Sequence, residues 1–88
     1  MTAILLVEDD LEAARSLSEA LESGGYRVRI AGTGSEARSI VEQVGPDLIL
    51  LDLMLPDTDG LILTAVLKTL TNAPIIICSG ATSRSIGC

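Results

Sequence analysis

The chain has 88 residues, no Phe or Trp and a single aromatic, Tyr26, which is room for one small domain whose core must be built from Leu, Ile, Val and Ala. A formal net charge of −6 argues against nucleic acid as a direct partner, because phosphate binding needs a basic face. No apolar run approaches the ~18 residues of a membrane span and no basic leader precedes a long apolar segment, so no membrane partner is expected and the cytoplasm is the expected compartment.

Ala3 to Val7 is an apolar run of strand length. Asp9-Asp10-Leu11-Glu12 then reads as a helix start, with acid at the cap and in the first turn. Leu11, Ala14, Leu17 and Leu21 recur at helical spacing and predict the buried stripe of that helix; Gly24-Gly25 ends it. Tyr26 to Ala31 alternates, with Val28 and Ile30 between Arg27 and Arg29, which predicts a half-exposed edge strand. Thr33-x-x-Glu36 is a capping-box pattern, and Ala37, Ile40, Val41 and Val44 continue it at helical spacing until Gly45-Pro46. Leu48 to Leu51 is apolar throughout, as expected of a strand covered on both faces, and it runs straight into Asp52. Leu61 to Leu70 predicts a third helix, with Asp59 as a candidate cap. Pro74 to Cys78 predicts a fourth, wholly apolar strand, and Ser79 opens a loop. Cys78 and Cys88 have neither metal nor redox spacing, and Cys78 is expected as a small buried hydrophobe.

Strand and helix alternating in this way imply an α/β fold with a parallel sheet and right-handed crossovers. Ligands in such folds bind beyond the carboxyl ends of the strands, near a topological switch point. The first strand ends in Glu8-Asp9, the third in Asp52 and the fourth in Ser79. If those strands are neighbours, three carboxylates and a hydroxyl converge. Clustered carboxylates repel, and either protonation or a divalent cation relieves them. Mg²⁺ takes one or two carboxylates together with waters and a phosphate oxygen. A carboxylate can also be a nucleophile toward phosphorus, giving an aspartyl phosphate.

Other motifs compete. Gly32-x-Gly34-x-x-Ala37 fits a dinucleotide fingerprint, with Asp52 at the spacing of a ribose-binding acid. It sits after the edge-like strand, however, and leaves Glu8 and Asp9 without a purpose. Asp57-Thr58-Asp59-Gly60 has the D-x-D-G pattern of aspartate-based phosphohydrolases, but Leu53 to Pro56 separate it from the strand. A calcium loop is excluded by Leu55 at the first ligand position and by the missing final Glu. Asp10, Asp57 and Asp59 are expected as cap and turn residues.

L-L-V-E-D-D at 5–10, L-I-L-L-D-L-M-L-P-D-T-D-G at 48–60 and P-I-I-I-C-S-G at 74–80 together resemble the receiver domain of bacterial two-component response regulators. The resemblance runs through the whole chain, and these three segments agree in register. It implies a flavodoxin-like, doubly wound parallel sheet of strand order 2-1-3-4(-5). It implies Asp52 as the aspartate that accepts a phosphoryl group from a histidine kinase. It further implies Glu8, Asp9, Asp52 and the Met54 backbone carbonyl as Mg²⁺ ligands, and Ser79 as the hydroxyl that senses the phosphoryl group.

The chain departs from the family at its carboxyl end. The fifth strand, with its lysine, and the fifth helix are missing, and the only lysine, Lys68, lies inside the third helix. Residues 1–88 are therefore expected to be a single, incomplete receiver domain. The implied function is a phospho-accepting switch and not an enzyme with substrate turnover. Its implied partners are a sensor histidine kinase or a phosphotransfer protein, with an output domain beyond Cys88. The alternative is a truncated receiver acting only through protein contacts. A homodimer through an exposed strand-four edge is expected if no fifth strand covers it.

Overall fold

Strands and helices alternate in the expected order in a computed structural model of the protein, which describes residues 2–52 and 58–78. The elements are β1 (Ala3–Val7), α1 (Leu11–Ser23), β2 (Arg27–Ala31), α2 (Gly34–Val44), β3 (Leu48–Asp52), α3 (Gly60–Leu70) and β4 (Ile75–Cys78). The strands form one parallel sheet of order β2-β1-β3-β4. The chain steps from β1 outward to β2, then returns past β1 to β3. The crevice between β1 and β3 is therefore the switch point.

Local chemistry sets the helix starts. Asp10 caps α1, its Oδ1 accepting from the Glu12 and Ala13 N–H groups at 3.0 and 3.3 Å. Thr33 caps α2 through Glu36 N–H at 3.1 Å, and the Glu36 carboxylate returns to the Gly32 N–H at 2.7 Å. Asp59 caps α3 through Leu61 N–H at 2.8 Å. Each such cap is worth about 1 kcal/mol. At the other end of α2, Gly45 adopts φ 66°, a left-handed turn that favours glycine.

The two faces of the sheet are unequal. Leu5, Val7, Ile49 and Leu51 point to one side and are fully buried with Ala37 and Val41 of α2 and Leu63 and Leu67 of α3. Burying each Leu or Ile contributes about 1.5–3 kcal/mol, so this is the main core. Ile4 and Leu6 alternate to the opposite side, where α1 packs over β1 and β2.

Two expectations are corrected here. First, α1 does not bury the stripe of Leu11, Ala14, Leu17 and Leu21. Ala14 and Ser18 are buried, Leu21 is half-buried, and Leu11 and Leu17 are exposed. The two small residues let the helix lie close to the sheet, which leaves the larger leucines to its flanks. Second, β3 is not covered on both faces. Ile49 and Leu51 are buried, but Leu48 and Leu50 are only half-buried, because α1 lies over the other half of the sheet. The β4 edge is open to solvent at Ile76, which is 40% exposed, in line with the exposed strand-four edge expected, while Ile75 and Ile77 are half-buried. The second edge, β2, is exposed as predicted, with Arg27 and Arg29 accessible to solvent; it begins at Arg27, one residue after Tyr26.

Asp47 makes a contact that the spacing of apolar residues does not reveal. Its Oδ2 accepts from the Ala3 N–H at 2.8 Å, and its own N–H donates to the Ala3 carbonyl at 2.8 Å. This pair fixes the start of β3 against the start of β1, and so sets where β3 ends.

Candidate metal and phosphoacceptor site

Register brings the acidic residues together. Val7 pairs with Leu51 across the β1–β3 ladder, so the next residues, Glu8 and Asp52, meet at the carboxyl edge. The Glu8 N–H donates to the Ala31 carbonyl at 2.9 Å, which holds the chain at the mouth of the crevice before it turns into α1. Asp9 follows on that turn. One carboxylate oxygen from each of Glu8, Asp9 and Asp52 lies within 4.8 Å of the other two. Asp52 is 5% exposed, Glu8 is half-buried and Asp9 is open to solvent.

Charge at this density is costly. Two carboxylates ~4.8 Å apart repel by about 3.5 kcal/mol at an effective dielectric constant of ~20. The Glu8 carboxyl responds: its pKa is raised from the ordinary 4.5 to about 7. Burial is the largest cause, followed by a hydrogen bond with Asp52 and by repulsion from Asp52 and Asp9. The Asp10 N–H, which donates to Glu8 Oε2 at 3.2 Å, opposes the shift. Near neutral pH Glu8 thus holds its proton for part of the time. The donor set is all oxygen, from two strand ends and one turn, which suits a hard divalent cation. Such an ion would take over the proton's task of offsetting the negative charge.

Asp10 adds something that its reading as a cap residue does not include. Its carboxylate caps α1 while its backbone N–H orients Glu8. The two adjacent acids after Glu8 are the only sequence trace of that double use. Met54, Ser79, Asp57 and the side chain of Cys78 lie outside the described residues.

The dinucleotide reading finds no support in this geometry. Gly32 and Gly34 follow β2, an edge strand away from the switch point. The Gly32 N–H, which a pyrophosphate would need, is held by the Glu36 carboxylate.

The family described as the response regulator receiver domain matches residues 4–86. The chain belongs to that family. Among curated relatives, the DNA-binding response regulator MtrA of Mycolicibacterium smegmatis is 38% identical over 79 residues, covering 90% of this chain and 35% of that protein. This receiver chain therefore spans about a third of the length of that relative. Among solved structures, a CheY-like response regulator receiver domain from Methylobacillus flagellatus superposes with a TM-score of 0.87 at 32% identity, covering 91% of this chain and 70% of that one. A response regulator from Burkholderia pseudomallei, solved with a phosphorylated aspartic acid, a calcium ion and citrate, gives a TM-score of 0.86 at 32% identity over 91% of this chain and 48% of that one. Receiver domains are signalling domains of two-component systems and not metabolic enzymes, and phosphorylation and Mg²⁺ are standard for them. Among the described residues, no helix is long and apolar enough to cross a membrane.

Proposed function

We propose that residues 1–88 form one receiver unit in which Asp52 accepts a phosphoryl group from a histidine kinase or a phosphotransfer protein. The observation that carries this reading is the meeting of Glu8, Asp9 and Asp52 at the switch point. In the transfer, an Asp52 carboxylate oxygen forms a bond to phosphorus as the phosphorus–nitrogen bond of the donor's phosphohistidine breaks, and the imidazole keeps that electron pair. Glu8, Asp9, Asp52 and the Met54 carbonyl would hold Mg²⁺, which supplies charge neutralisation for the transferred group. Asp10 orients Glu8 through its N–H, and α1 begins at the same point. Ser79 is assigned the role of bonding the phosphoryl group once Asp52 carries it, which biases a conformational equilibrium. The setting proposed is the cytoplasm, with an output domain following Cys88.

A second reading, a module acting only through protein contacts, is favoured by one observation. Within residues 1–88 the one lysine, Lys68, lies exposed in the last turn of α3 and does not match the lysine that receiver domains carry at the end of a fifth strand. In this reading the β4 edge is a pairing surface for a second copy. Among the described residues the strand pairs only with β3, and its Ile76 is exposed, whereas the β2 edge carries two arginines.

Incubation with acetyl phosphate and Mg²⁺ separates the two. The phosphoacceptor reading expects a phosphoryl mass increment on the intact chain that is absent in Asp52→Asn. No increment on the wild-type chain would leave the contact module.

A further inference from the structure

Helix α3 has an outer surface unlike those of α1 and α2. The other two helices expose several carboxylates, whereas no Asp or Glu occurs between Gly60 and Leu70. Only Gly60, Leu63 and Leu67 of α3 are buried. Leu61 and Ile62 are each 61% exposed, and Ala65 is exposed as well. Exposed apolar residues are ordinary when scattered, but a contiguous patch marks an interface. Here they are contiguous: helical spacing sets Leu61 beside Ala65, and Ile62 beside Val66.

The Ile62–Val66 row also forms one wall of a cavity of about 290 Å³ between α2 and α3. Leu63 lines it as well, and Ser35 and Arg38 of α2 stand on the opposite side. Arg38 makes no ion pair among the described residues, and Lys68 lies at the far end of α3's exposed face. The chain has 12 acidic residues against 6 basic ones, yet two of those six flank this apolar strip. The nearest acid on the element, Asp59, is engaged with the Leu61 N–H.

We propose that this groove and the outer row of α3 dock an amphipathic helix of a partner protein that carries acidic residues beside its apolar stripe. The apolar anchors would enter the groove in the helix-in-groove manner, and the acids would face Arg38 and Lys68. A net charge of −6 opposes an anionic membrane surface as the occupant. A second copy meeting α3 to α3 would bring matching basic flanks together. The inference does not depend on whether Asp52 accepts a phosphoryl group.

The probe is a fluorescein-labelled helical peptide with leucines at helical spacing flanked by glutamates, beside a counterpart with lysine at each glutamate. By fluorescence anisotropy the acidic peptide should bind at least about tenfold more tightly than the basic one. Ile62→Glu and Arg38→Glu should each weaken it by about tenfold, with far-UV circular dichroism unchanged. If Ile62→Glu unfolds, Leu61→Gln serves in its place at an equally exposed position. Amide shifts should centre on Ser35–Arg38 and Leu61–Val66. No binding, equal binding of both peptides, or shifts elsewhere would overturn the proposal. So would co-sedimentation of the chain with phosphatidylglycerol-containing vesicles, or a dimer that Ile62→Glu abolishes.

Discussion

Replacing the proposed phosphoacceptor should stabilise the metal-free protein above neutral pH. Glu8 has its pKa raised from 4.5 to about 7 in the fold. A carboxyl raised in this way contributes stability that is complete below pH 4.5 and is lost as pH rises through about 7. Full conversion of the 2.5-unit difference, 7 less 4.5, gives roughly 3.4 kcal/mol. Glu8 is only half-buried, and solvent screening reduces this to on the order of 1–2 kcal/mol. Burial is the largest cause and survives in Asp52→Asn, whereas the charge of Asp52 does not. The asparagine amide can also donate to an ionised Glu8. The variant should therefore exceed the wild type by about 1 kcal/mol at pH 8 in EDTA, a rise in Tm of ~4–8 °C for a domain of this size. The difference should shrink toward zero near pH 5, where Glu8 is neutral in both proteins. Taking the difference between the two pH profiles removes the contributions of the other carboxylates. Excess Mg²⁺ should reverse the order, because the wild type binds it better and gains more from it. Thermal melts at pH 5 and pH 8, with EDTA and with Mg²⁺, measure all of this. A variant equal to or less stable than the wild type at pH 8 in EDTA would refute the reasoning.

Asp9→Ala should weaken Mg²⁺ binding by about tenfold, as expected for a lost ligand in an incomplete carboxylate cage, and should leave Tm in EDTA nearly unchanged because Asp9 is exposed; unchanged affinity by calorimetry would remove Asp9 from the site. Asp47→Ala should cost about 1 kcal/mol through the lost bond to the Ala3 N–H, read as a lower urea midpoint at constant m-value. Gly45→Ala should cost roughly 1 kcal/mol at φ 66°. Gly32→Ala should stay within ~0.5 kcal/mol, since an added Cβ meets only the Glu36 carboxylate at 3.4 Å; a larger loss at Gly32 would mean that its backbone is held more tightly than the structure indicates.

Legibility in the sequence followed the range of the interactions. Strand and helix positions were readable because their signals are local: Asp10, Thr33 and Asp59 all cap the helices they precede. The meeting of Glu8, Asp9 and Asp52 was readable because a parallel α/β order leaves few choices for where strand ends converge. What could not be read was decided between elements. The period of α1 fits a stripe of leucines as well as the observed Ala14–Ser18–Leu21 face, and only the distance between helix and sheet selects the smaller residues. Four apolar residues in a row do not say whether both faces of β3 are covered, since that depends on helices elsewhere in the chain. The raised pKa of Glu8 arises from burial and from a neighbour 44 positions away in sequence, and no local pattern encodes it. Asp47 looks like an ordinary turn residue until its partner, Ala3, is known.

The β1–β3 register links stability to the acidic site. Asp47 pairs with Ala3 at one end of the ladder, and Glu8 meets Asp52 at the other. Between them Leu5, Val7, Ile49 and Leu51 are fully buried. A shift of β3 by one residue would turn its buried side chains toward the opposite face and Asp52 away from Glu8. The apolar contacts resist that slip with several kcal/mol, since each buried Leu or Ile contributes ~1.5–3. That exceeds the gain from separating two carboxylates that repel by about 3.5 kcal/mol before a proton on Glu8 or a cation relieves them. The core thus holds the acids together against their own repulsion, and the repulsion is what gives a divalent cation its advantage at this edge. The same reasoning explains why relieving the charge at Asp52 should raise stability without moving the strand.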